Sequence, residues 1–97
     1  MTNEDDIRHA EAGGRGEFYV ERDGERIAEL TYTRSGDAAV VSHTWVHPQH
    51  RGGSLAPRLV QALVQWARDG GRQVIPVCSY ARTVFSRTPA YADVWRR

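Results

Sequence analysis

Residues 46–56 read Val-His-Pro-Gln-His-Arg-Gly-Gly-Ser-Leu-Ala, and apolar residues at helical spacing begin where this segment ends. A glycine-rich turn running into a helix leaves several backbone N–H groups without an intrahelical partner. The helix dipole adds partial positive charge at the same place. Such a turn can seat a phosphate, and it can equally be a tight connection with no ligand. It is no Walker loop, for it lacks Gly-Lys-Ser/Thr. It is no dinucleotide fingerprint either, for it lacks three spaced glycines. Three further side chains offer chemistry. Cys78 falls where a strand gives way to a helix, so its thiol can donate a proton or act as a thiolate facing helical amides. Cys78 also suits a small buried hydrophobe. His43 can accept a proton as a neutral imidazole, or simply fill a core. Tyr80 offers a hydroxyl. His9, His47 and His50 have no ligand spacing with acids or cysteine, so no metal is expected.

The elements that must position these groups follow from patterning. Phe18–Val20 and Ile27–Thr33 are rich in β-branched and aromatic residues, and Asp23-Gly24 between them predicts a hairpin. Ser35-Gly36-Asp37 predicts the next turn, and Ala38–Val46 the third strand. Ala56, Leu59, Val60, Leu63, Trp66 and Ala67 recur on one helical face. Pro57 suits the first turn, and Gly70 or Gly71 a left-handed stop. Gln73–Cys78 predicts a short buried strand. Ser79 is the expected cap of a last helix over Tyr80–Arg87, with Pro89 beyond it. The order β-β-β-α-β-α describes an α+β fold: an antiparallel meander plus one parallel strand reached by a right-handed crossover. Residues 1–14 read as a frayed tail and 15–97 as one domain.

The chain has 97 residues and one cysteine, which excludes an internal disulfide. No apolar run approaches a membrane span, and the acidic start Met1–Asp6 lacks a secretory apolar stretch, so a cytoplasmic protein without membrane contact is expected. The net charge of +1 hides an asymmetry. Residues 1–49 hold five arginines against ten acids, and residues 50–97 hold eight against two, with no lysine anywhere. The second half should therefore attract an anion.

The segment Val46–Ala56 resembles the acetyl-CoA motif of the GNAT acetyltransferase superfamily, Gln/Arg-x-x-Gly-x-Gly/Ala, preceded by a strand and Val-x-Pro. The chain is similar more closely to the small, single-domain YjdJ-type members. Gly24–Tyr32, His43-Thr44, the Arg-Gly loop, Pro76-x-Cys78 and Phe85…Pro89-x-Tyr91 occur in the expected order, over about residues 17–95. The resemblance implies a CoA pyrophosphate on the backbone of Arg51, Gly52, Gly53, Ser54, Leu55 and Ala56. It implies pantetheine beside Thr44 and Val46, in a split between two parallel strands. Pro76, with no N–H to donate, suits such a split. Ser54 departs from the motif's glycine. It would not tolerate a left-handed φ as glycine does, and its hydroxyl is expected to cap the helix. Many family members carry an acid Tyr on the last helix, where this chain has Phe85.

The expected function is transfer of an acetyl group from acetyl-CoA to an amine of unspecified kind, with Cys78, His43 and Tyr80 as catalytic candidates. Two other classes compete. One is a non-catalytic acyl-CoA-binding module. The other is an Arg-rich nucleic-acid- or partner-binding domain, disfavoured because few aromatic stacking residues are interleaved with arginine.

Overall fold

The computed structural model describes residues 6–97. Its strands are β1 (Arg8–Ala12), β2 (Arg15–Arg22), β3 (Glu25–Ser35), β4 (Ala38–Val46) and β5 (Gln73–Pro76), and its helices are α1 (Leu55–Asp69) and α2 (Ser79–Arg87). The five strands form one sheet in sequence order. Successive pairs from β1 to β4 are antiparallel, and β4–β5 is parallel across the α1 crossover.

Local chemistry explains the joints. Asp23 and Gly24 both take positive φ, 53° and 78°, the combination a two-residue hairpin turn requires. α1 ends in a Schellman motif: Gly71 sits at φ +64°, Arg72 N donates to Ala67 O at 2.8 Å, and Gly71 N to Arg68 O. The stripe Leu55, Leu59, Val60, Leu63, Val64 and Ala67 is buried against Phe18, Val20, Leu30, Tyr32 and Val41 of the sheet. Each fully buried leucine or valine of that stripe contributes about 1.5–3 kcal/mol. Among the described residues, no helix is long and apolar enough to cross a membrane.

Three expectations need correcting. First, the predicted tail contains a strand. Arg8–Ala12 pairs with Arg15–Tyr19, so the fold gains a fourth antiparallel strand before the predicted meander. Side chains hold it there. The His9 ring stacks on Phe18 at 4.1 Å between centroids, and Tyr32 OH donates to Glu11 at 2.8 Å. The phenol has one proton, so at its 2.6 Å contact with His9 the imidazole Nε2–H donates. The part of the predicted tail at residues 1–5 lies outside the described residues. Second, Cys78, not Ser79, caps α2: its Sγ accepts from Ala81 N at 3.5 Å, and Ser79 is the first helical residue. Third, Ser54 occupies the cap of α1 but makes no side-chain cap bond.

Candidate active site

The register of β4 sets the geometry. Thr31 pairs with His43 and Tyr32 with Val41, so Ser42 is a bulge residue. The bulge changes which residues point inward. Ala39 and Val41 are buried before it, whereas Val46 packs against the core after it. His43 therefore does not share a face with Val41 as simple alternation predicts. It stands half exposed, and its Nε2 lies 3.1 Å from Glu29 Oε2.

Beyond the bulge, β4 loses its parallel neighbour. The β4–β5 ladder ends at Val41↔Pro76. The Val41 carbonyl then accepts from both Val77 N at 2.9 Å and Cys78 N at 3.1 Å. Residues 42–46 have no partner in β5, so the two strands fork at the proline, as the missing N–H predicts. Thr44 Oγ1 and Cys78 Sγ face each other across the fork at 3.4 Å.

The loop before α1 adjoins the fork. Gly52 takes φ +84°, and a Cβ there would meet nothing within 4 Å, so the loop has open space on that side. Ser54 is in the ordinary right-handed region at φ −97°, so the departure from the motif's glycine carries no backbone strain. The first bond of the helix is Arg58 N to Ser54 O at 3.0 Å. Among the described residues, the N–H groups of Gly52, Gly53, Ser54, Leu55 and Ala56 meet no protein acceptor. Arg51 folds back so that its Nε donates to Val46 O at 2.8 Å, tying the loop to the strand end.

A cleft of about 270 Å³ lies between loop and fork. Thr44, Val46, Arg51, Gly52, Gly53, Ala56 and Tyr80 line it. Thus six of the eight predicted cofactor-binding residues and one of the three catalytic candidates share one cavity. Leu55 turns its side chain into the core, leaving its backbone to the loop, and Ser54 is exposed. Cys78 stands behind Thr44, and His43 is not among the lining residues. Trp45 and His50 also line the cleft. Both were missed as site residues, although they sit on the strand and loop that carry the motif. Burial pushes the Tyr80 phenol up, with a further contribution from Tyr91, so it stays protonated at neutral pH. Phe85 is buried against Tyr91 and Trp95, at centroid distances of 5.7 and 6.0 Å, and offers no hydroxyl. Among the described residues, no group of three or more His, Cys, Asp or Glu is arranged to hold a metal.

The unpartnered amides suit a pyrophosphate, and the forked strands leave a slot beside them for an extended arm. The donor set and the slot therefore suit a CoA-type ligand.

A mixed sheet whose parallel pair forks beside a glycine-rich helix start defines an acetyltransferase-type α+β fold. The chain belongs to the GCN5-related N-acetyl-transferase family, whose model matches residues 15–94. Solved structures share the fold. A GCN5-like protein from Staphylococcus aureus is 24% identical, with a TM-score of 0.76, over 98% of this chain and 91% of that one. Ribosomal-protein-alanine N-acetyltransferase from Brucella melitensis biovar Abortus 2308 is 19% identical, with a TM-score of 0.62, over 76% of this chain and 62% of that one. The chain thus spans less than two thirds of the Brucella enzyme. Aminoglycoside N-acetyltransferase AAC(6')-Iy, in complex with CoA, is 18% identical with a TM-score of 0.62, over 84% of this chain and 85% of that one. At these identities the likeness is one of fold. No curated protein matches the sequence.

Proposed function

We propose that the protein is an acetyl-CoA-dependent N-acetyltransferase acting on an amine. The observation that carries this reading is the run of five N–H groups at Gly52–Ala56 that have no acceptor among the described residues, set against the strand fork at Pro76. Those amides hold the pyrophosphate, and Thr44 and Val46 flank the pantetheine. Bound there, acetyl-CoA supplies an activated acyl thioester. Cys78 lies at the fork with its thiol against Thr44 and assists proton transfer. Tyr80, a phenol protonated at neutral pH, is a second proton donor in the cleft. His43, which stands outside the cleft lining on the same strand as Thr44, receives the proton of the acceptor amine. The CoA complex of the aminoglycoside enzyme supports the ligand, and the aminoglycoside and ribosomal-protein enzymes support an amine acceptor.

The buried Phe85 favours a second reading, a non-catalytic acyl-CoA-binding module. The Arg-rich nucleic-acid reading is weaker, because part of that charge is already engaged. Arg68 binds Asp93, Arg96 binds Asp37, and Arg72 lies over Trp66.

Thermal shift and calorimetry test the reading. Acetyl-CoA at 100 times its dissociation constant stabilises the fold by about 2.7 kcal/mol. Gly52→Glu, which sets a carboxylate against the phosphates, abolishes that shift. No binding at millimolar CoA would overturn the proposal. Binding without thiol release across a panel of amines would favour the module.

A further inference from the structure

We infer that Glu29 is the positioning residue of His43: it fixes the imidazole as the Nε2–H tautomer and leaves Nδ1 as the proton-accepting nitrogen. The inference rests on the reading of His43 as acceptor of the amine proton, and adds to it which nitrogen acts and what holds it.

The bulge at Ser42 brings the two residues together. It turns His43 onto the strand face that carries Glu29, and its Nε2 comes to 3.1 Å from Glu29 Oε2. Glu29 is itself held from the far side. Arg26 Nη1 lies 3.3 Å from Glu29 Oε1 and 3.0 Å from Glu17 Oε2, with its guanidinium 4.1 Å over the Tyr19 ring. A carboxylate clamped by an arginine is charged and can only accept. The hydrogen between Glu29 and His43 therefore belongs to the imidazole, on Nε2. A neutral imidazole carries one N–H, so its lone pair is on Nδ1. Among the described residues, Nδ1 has no hydrogen-bond partner, and half of the side chain is open to solvent.

This arrangement gives Glu29 the role a buried Asp plays towards a catalytic His: it sets the tautomer and faces the charge that forms. The acceptor's N–H bond breaks with its electron pair staying on the amine nitrogen, and the proton bonds to Nδ1. The imidazolium formed lies against the Glu29 carboxylate. A plain surface ion pair would have the same distance but no consequence for Nδ1, and that difference can be measured.

¹⁵N spectra of the imidazoles in the intact protein, recorded where His43 is neutral, read the tautomer without any acyl donor. The wild type shows Nε2–H only. Glu29→Gln offers an amide that can donate to Nε2, and a population of Nδ1–H appears. Glu29→Leu removes the bond and gives a mixed, more mobile ring. Nδ1–H as the main wild-type form, or the same tautomer in all three proteins, would overturn the inference. In the transfer assay Glu29→Gln lowers kcat by about tenfold or more with little change in the amine KM, and adds nothing to His43→Ala. If the tautomers behave as stated while His43→Ala retains the wild-type rate, the positioning by Glu29 stands and the proton-acceptor reading of His43 fails.

Discussion

Thr44 Oγ1 lies 3.4 Å from Cys78 Sγ, across the point where β4 and β5 part. The same sulfur accepts Ala81 N–H at the start of α2. One atom thus joins the fork to the last helix, and Cys78 has a structural task whatever its chemical one.

Two substitutions separate those tasks. Cys78→Ala removes both cap and thiol; it costs about 1 kcal/mol of stability and lowers turnover by about 10²-fold. Cys78→Ser restores a capping oxygen without the thiol. Stability then returns and turnover does not, while CoA affinity stays near wild type in both. Wild-type turnover in Cys78→Ser would assign the residue to structure alone.

Gly52 and Ser54 are expected to respond differently. Gly52→Ala meets no neighbouring atom, but its φ of +84° costs a side-chain-bearing residue about 1–2 kcal/mol. Its Tm falls and its CoA affinity drops with the loop's shape. Ser54→Gly relieves no strain and removes no cap bond, so affinity is unchanged and stability falls only by the added freedom of the unfolded chain, about 0.5 kcal/mol. Calorimetry and melting curves check both.

The latch that docks β1 predicts a stability profile against pH. Burial holds the His9 pKa below its ordinary 6.5, so folding favours the neutral ring and stability declines as pH falls below that value. The hydrogen bond from Tyr32 lowers the Glu11 pKa below 4.5, and its contribution is lost as pH falls further, through the folded value. Burial, then the Glu11 carboxylate, pushes the Tyr32 phenol well above 10, so stability also declines as pH rises past 10. Tyr32→Phe removes this alkaline limb. A flat melting temperature between pH 4 and 6.5 would show that the latch contributes nothing.

Gly16 pairs with Tyr32 in the register of β2 and β3 and leaves room for its ring. A Cβ at Gly16 would fall 2.2 Å from Tyr32 Cζ. Gly16→Ala therefore displaces a buried ring and destabilises by about 1–3 kcal/mol. Loss of the His9 and Glu11 contacts, seen as faster amide exchange in β1, is the accompanying sign.

Much of this was legible in the sequence because its signals are local. Asp23-Gly24 fixes a hairpin, the spacing from Leu59 to Ala67 makes an amphipathic helix, and Pro76 ends a ladder by lacking a donor. β1 was not legible. Arg8-His-Ala-Glu-Ala12 carries no β-branched residue, and what makes it a strand is Phe18 and Tyr32 reaching across from β2 and β3. The bulge escaped for a related reason. Val41-Ser-His-Thr-Trp45 reads as unbroken alternation, and only pairing with β3 shows that the parity changes at Ser42. Strict alternation would put His43 on the face of Val41, away from Glu29, and the bulge reverses that. The caps failed on small margins: Cys78 and Ser79 are adjacent, and either side chain can accept an N–H.

The carbonyl of Val41, receiving two N–H groups at once, works as the bar tack at the end of a seam. Below it the β4–β5 rungs carry load; above it no rung exists to be broken. A guest entering the gap breaks no backbone rung and displaces only the Thr44 Oγ1–Cys78 Sγ contact. Its arrival is then set by diffusion and charge, so association slows with added salt but changes little with temperature beyond the viscosity of water.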